Sequence, residues 1–150
     1  MSTGIPKTNF LVIEGEFEEI IEIRNGCVGL KNDPPGAIRK TIVFTDMSKL
    51  TCQEYIKEDI VDFYHYDYYD NKGNIIMKFH SEPHENKEHQ TETEPFHMHV
   101  ASDESDLKAS KRIANRYFKD LYNIIAFIVN GKYLRHTYVR QHDHSIKKKK

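Results

Sequence analysis

At 150 residues the chain falls in the ordinary range for one domain and can bury roughly 68–70% of its unfolded surface around a single core. Hydrophobic residues make up 38% and charged residues 30%, with eight Phe, nine Tyr and no Trp, which is a globular composition and excludes a disordered chain. A formal charge of −1 excludes a global field for nucleic acid or membranes, and two isolated cysteines, Cys27 and Cys52, exclude a disulfide framework or a cysteine-rich zinc site. No apolar run approaches the ~20 residues of a membrane span. The opening Met1-Ser-Thr-Gly-Ile-Pro lacks the regions of a signal peptide, so the expectation is a cytoplasmic protein with no membrane partner.

In chain order, Asn9 to Glu14 (NFLVIE) and Phe17 to Ile23 (FEEIIEI) read as short strands, the second fitting two helical turns equally well. Turn formers and paired prolines make residues 31–36 a loop. Four segments rich in β-branched and aromatic residues follow: Lys40 to Asp46, Leu50 to Ile56, Ile60 to Tyr69 and Asn74 to Phe79. They predict a meander, with Asp70 to Asn74 turning the last hairpin around Gly73. Strand alternation sets Tyr64, Tyr66 and Tyr68 on one face and Phe63, His65 and Asp67 on the other.

Residues 82–94 are polar and read as a loop. Ser102 caps an expected helix from about Leu107 to Val129, with Asp103, Glu104 and Asp106 in its first turn. Its apolar positions are Leu107, Ile113, Tyr117, Leu121, Ile124, Ile125 and Ile128, and Asn130-Gly131 ends it. Tyr133 to Val139 reads as a last strand and residues 147–150 as a basic tail. The expected fold is α+β, one domain over 1–146: a mostly antiparallel sheet of four or more strands, one face covered by a single long C-terminal helix.

Five of the nine histidines, His80, His84, His89, His97 and His99, fall within twenty residues. Imidazoles gathered this way suit a transition metal, proton transfer near neutral pH, or, when protonated, an anion such as phosphate. In Phe96-His97-Met98-His99-Val100 the two histidines share one strand face, roughly 6.5–7 Å apart along the chain. His80 ends the preceding strand and His84 follows Pro83, so His80, His84, His97 and His99 converge at one sheet end if the two strands are neighbours. Such a set suits a His-ligated zinc ion.

It equally suits metal-free RNA cleavage without any cofactor, in which one group takes the ribose 2′-hydroxyl proton, another protonates the 5′-oxygen and a cation supports the phosphorane. His84, His97, His99 and His80 are the candidates for the proton roles and Lys78, on the His80 face, for the cation. Tyr64, Tyr66 and Tyr68 are candidate stacking surfaces for bases, although a Tyr-rich strand also suits a face packed under a helix. A third reading is a solvated loop or a partner-binding surface. No Ser-His-Asp order, phosphate-binding glycine loop or H-E-x-x-H helix is present.

The run from Tyr64 to Glu85, YHYDYYDNKGNIIMKFHSEPHE, followed by Pro95 to Val100, PFHMHV, resembles the TumE-type toxins of prokaryotic toxin–antitoxin modules. That family pairs a Tyr-x-Tyr-His strand and a turn with an Arg-aromatic-Asp-Asn-x-Pro-His-His motif, then Pro-His-His-x-His-Val before a terminal helix. Phe44 to Ile56 is similar to the strand, turn and strand upstream, so the resemblance spans about residues 40–129. Lys78 stands at the family's arginine, Phe79 at the aromatic, His80 at the aspartate and Ser81 at the asparagine. Pro83 and His84 match the proline and first histidine, Glu85 replaces the second, and His97, His99 and Val100 match directly. The resemblance implies a growth-inhibiting toxin, an antitoxin partner with a helix-turn-helix domain and, by analogy, RNA as target. It leaves the oligomeric state open.

Overall fold

Alternating apolar and polar residues with β-branched and aromatic side chains dominate the middle of the chain, and there the backbone forms long antiparallel ladders. The computed structural model describes residues 3–27, 33–82, 88, 90–101 and 109–131. In order these form β1 (Ile5–Pro6), α1 (Phe10–Glu16), β2 (Ile20–Asn25), β3 (Ala37–Phe44), β4 (Lys49–Lys57), β5 (Ile60–Tyr69), β6 (Ile75–His80), β7 (His97–Val100) and β8 (Lys111–Ala114). A further helix, α2, runs over 121–131. All pairings are antiparallel, in the order β2-β3-β4-β5-β6-β7-β8. β6 engages β5 only from His65 onward, so β1 pairs with Ile60 and Val61 on the edge that β6 leaves open.

The α+β reading and the four-strand meander therefore stand, within a larger sheet. The hairpin turn closes as expected, with Asp70 Oδ1 accepting from the backbone N–H of Lys72 and Asn74, and Gly73 at φ +86°. Two readings are corrected. Asn9 to Glu14 lies in the helix α1 and not in a strand, because Asn9 caps it: its Oδ1 accepts from Val12 N–H at 3.3 Å and its carbonyl from Ile13 N–H at 3.1 Å.

The single long helix from Leu107 to Val129 is also overturned. Lys111–Ala114 is strand β8, paired with β7. Asn115 then closes a turn, its Nδ2 donating to the Phe118 carbonyl and its Oδ1 accepting from Phe118 N–H. Asp120 starts α2, its carbonyl accepting from Ile124 N–H at 3.0 Å. The apolar period holds from Leu121 onward, whereas Ile113 belongs to β8 and Tyr117 is 77% exposed. The expected Ser102 cap and Leu107, and the strand Tyr133 to Val139, lie outside the described residues.

One sheet face carries the core. Tyr64, Tyr66, Tyr68, Leu50, Ile42, Phe44 and Phe79 pack against Ile13 of α1 and Leu121, Ile124, Ile125 and Ile128 of α2. Two tyrosine hydroxyls find partners inside it: Tyr66 donates to Glu54 Oε2 at 2.6 Å and Tyr68 to Ser48 Oγ at 2.9 Å. Glu54, fully buried, also accepts from the hydroxyl and backbone N–H of Thr8, which ties the N-terminal segment to the sheet. No helix among the described residues is long and apolar enough to cross a membrane.

Candidate active site

The face opposite this core is polar, and its ladder register builds two parallel rows of side chains across neighbouring strands. Directly opposed antiparallel residues share a face. One row runs Arg24, Thr41, Thr51, Asp67, Lys78, His99, Arg112 from β2 to β8. The second runs Arg39, Gln53, His65, His80, His97, Ala114 from β3 to β8. Where the rows meet β6 and β7, three imidazoles converge: His80, His97 and His99 have ligand-capable atoms within 4.8 Å of one another. Their ring centroids lie 4.9 Å apart for His80–His99 and His97–His99, and 5.6 Å apart for His80–His97.

Each ring has its own setting. His80 Nε2 lies 2.9 Å from Asp67 Oδ1 and its ring stacks on His65 at 4.3 Å. A carboxylate in that position orients the ring, with Nε2–H donating to Asp67 and Nδ1 turned away from it. His65 Nε2 lies 2.9 Å from Glu82 Oε2. Burial and the charge on His80 nevertheless hold His65 below the usual histidine range.

His97 is 2% exposed, and its Nδ1 meets both the Pro95 carbonyl at 3.2 Å and an Arg112 amino group at 3.0 Å. The two contacts need opposite tautomers: Arg112 is always a donor, so it favours an unprotonated Nδ1, with the ring proton on Nε2. Arg112 also donates to Glu94 Oε1 at 3.1 Å. Burial costs the Glu94 carboxylate something, but the Thr91 N–H and Arg112 outweigh that and hold its pKa down. Desolvation, then the Arg112 cation and the neighbouring rings, push His97 down to about 3; desolvation, then His80, Arg112 and Lys78, push His99 down to about 4. At neutral pH both are uncharged imidazoles, His97 beside Arg112 and His99 between Arg112 and Lys78.

The site expected from sequence is thus partly assembled. His80, His97, His99 and Lys78 come together on one sheet face, on the paired strands β6 and β7, with His97 buried and the others partly exposed. His84 and His89 lie outside the described residues. Tyr64, Tyr66 and Tyr68, expected as stacking surfaces, are 1–2% exposed on the opposite face under α2, which closes their rings to a base. Asp67, Arg112, Glu94 and His65 were not singled out from sequence. Asp67 and His65 were visible by alternation with the tyrosines, whereas Arg112 was hidden in the misread helix.

Ser81, at a position where the resemblance places asparagine, is buried and accepts the Tyr64 N–H at 2.8 Å, a structural task at the end of β6. No curated protein and no solved structure matches the chain. The family model described as Toxin TumE matches residues 16–131, which takes in all of the sheet except β1, both rows and α2. The chain belongs to the TumE toxin family, toxins of toxin–antitoxin modules, and a cognate antitoxin is its partner class.

Proposed function

We propose that this toxin cleaves RNA by metal-free acid–base catalysis on the histidine-bearing sheet face. The observation that carries the reading is His99, a neutral imidazole set directly between Lys78 and Arg112 in one cross-strand row and 4.9 Å from the Asp67-bound His80. Two fixed cations flanking an unprotonated base suit a phosphodiester better than a metal ion.

His99 takes the 2′-hydroxyl proton and the 2′-oxygen attacks phosphorus. Lys78 and Arg112 hold the phosphorane, and the bond to the 5′-oxygen breaks as His80, its imidazolium supported by Asp67, delivers a proton to that oxygen. The products are a 2′,3′-cyclic phosphate and a 5′-hydroxyl. His97, almost wholly buried, positions Arg112. His84 is kept as an additional proton carrier. RNA as substrate places the action in the cytoplasm, and the same face gives a helix-turn-helix antitoxin a surface whose closure silences the toxin.

The test is cleavage of a defined RNA by purified protein in excess chelator. Activity that persists, yields cyclic phosphate, spares a 2′-deoxy substrate and disappears in His99→Ala supports the reading. Cleavage of the deoxy substrate, or none of either, would sink it. A second reading rests on the three imidazoles within 4.8 Å, with Asp67 orienting His80 as a carboxylate orients a zinc-bound histidine. Stoichiometric zinc in the purified protein, lost together with activity in His97→Ala plus His99→Ala, selects it over the metal-free mechanism.

A further inference from the structure

The first polar row does not stop at Asp67. It continues through Thr51, Thr41 and Arg24, and there the face is hollowed into a cavity of about 550 Å³ that those residues line together with Asn25, Lys49 and Tyr69. Thr51 is directly opposite Asp67, and Tyr69 follows Asp67 on the same strand face. Thr51, in the cavity wall, therefore lies one strand spacing, roughly 4.7–4.9 Å between backbones, from the residue that holds His80, and three strands from His99.

We infer that this cavity is a nucleotide subsite, which receives a base of the RNA strand cut at His99, at a nucleotide beyond those that flank the bond. The inference rests on the RNA-cleaving reading for its link to catalysis. The cavity volume lies in the range of roughly 300–1,000 Å³ that small-molecule sites occupy. Its chemistry suits a nucleotide: one half-buried aromatic ring, the oxygens of Thr41 and Thr51, whose protons go to the Gly26 and Asp67 carbonyls, the Asn25 amide N–H, whose oxygen accepts from Lys40, and an exposed lysine for a phosphate. Arg24 shares its charge with Glu22 at 2.7 Å, so Lys49 is the principal phosphate partner. Asp70, the acid in the lining, has both oxygens engaged by Lys72 and Asn74 within its own turn.

Cys27 lines the same cavity and the other cysteine, Cys52, is buried, which supplies a built-in probe. Burial pushes the Cys27 thiol up, so alkylation by iodoacetamide is followed above roughly pH 8.5. Adenosine or uridine 5′-monophosphate is expected to slow the alkylation, inorganic phosphate to leave it unchanged, and Lys49→Gln to weaken the protection. Tyr69→Ala should weaken it by about 5- to 150-fold, the loss of one base-stacking aromatic. Protection that phosphate gives equally, or that neither nucleotide gives, overturns the subsite. Protection with no cleavage of any RNA leaves the subsite standing and removes the ribonuclease reading. RNA cleavage with unprotected Cys27, and with KM and base preference unmoved by Tyr69→Ala, removes the subsite alone.

Discussion

Lowering the pH from 7.5 to 5 is expected to remove about 4 kcal/mol of folding stability through His97 and His99 together. In the folded protein their pKa values are depressed to about 3 and about 4, whereas the unperturbed ring titrates near 6.5. Between those values the unfolded chain binds more protons than the folded one, so stability rises with pH. The contribution is fully present above 6.5 and is lost as the pH falls toward the folded values. At pH 5 each ring is still neutral when folded and mostly charged when unfolded, which amounts to about 2 kcal/mol apiece. His65, also depressed, adds in the same direction.

Ordinary carboxylates titrate below about pH 4.5, so the window belongs to the histidines. Urea denaturation at half-unit intervals measures it against a stability of about 5–15 kcal/mol for a domain of this kind. His99→Asn should remove about 1.4 kcal/mol per pH unit of slope below pH 6. A stability flat from pH 7.5 to 5, or a slope unchanged in that variant, would refute the account of burial and neighbouring cations.

Three substitutions probe other parts of the structure. Asp67→Asn frees the His80 tautomer and should lower RNA cleavage by about 10²- to 10⁴-fold with little change in melting temperature; retained activity removes Asp67 from the site. Arg112→Met strands the Glu94 carboxylate, 13% exposed, and should cost about 2–4 kcal/mol, most of it recovered in Arg112→Met with Glu94→Gln; additive losses in the double-variant cycle would disprove the pairing. Tyr66→Phe removes a 2.6 Å hydrogen bond to the buried Glu54 carboxylate and should cost about 1.5–3 kcal/mol by denaturation, and a cost near zero would mean that water replaces the hydroxyl.

The central sheet was legible because its signal is local: alternation from Phe63 to Tyr69, past a bulge near Asp62, and an Asp-Asn-Lys-Gly turn fix strand, face and hairpin at once. The same alternation in His97–Val100 correctly put two histidines on one face. What sequence could not supply was pairing partners. Whether Lys111–Ala114 becomes strand or helix depends on the open edge of β7, a tertiary fact that overrides an apolar spacing acceptable to either. That one misreading concealed Arg112 and with it the second cation. The tyrosines were seen as a face, but their depth is decided by α2, which settles against them from sixty residues away.

An imidazole with a pKa near 4 is a poor base, and the site's arrangement suggests how substrate corrects this. The cations that depress His99, after desolvation and His80, are Arg112 and Lys78, its immediate neighbours across both ladders. A phosphodiester seated between them offsets their charge, so the proton affinity of His99 rises toward the range in which a general base works efficiently. The acid limb of kcat/KM reports the free enzyme and that of kcat the complex. The limb governed by His99 should therefore lie at higher pH in kcat than in kcat/KM, and Lys78→Met should narrow the gap by raising the free-enzyme value. Coincident limbs, or a gap indifferent to Lys78→Met, would show that the base on this face is some other group.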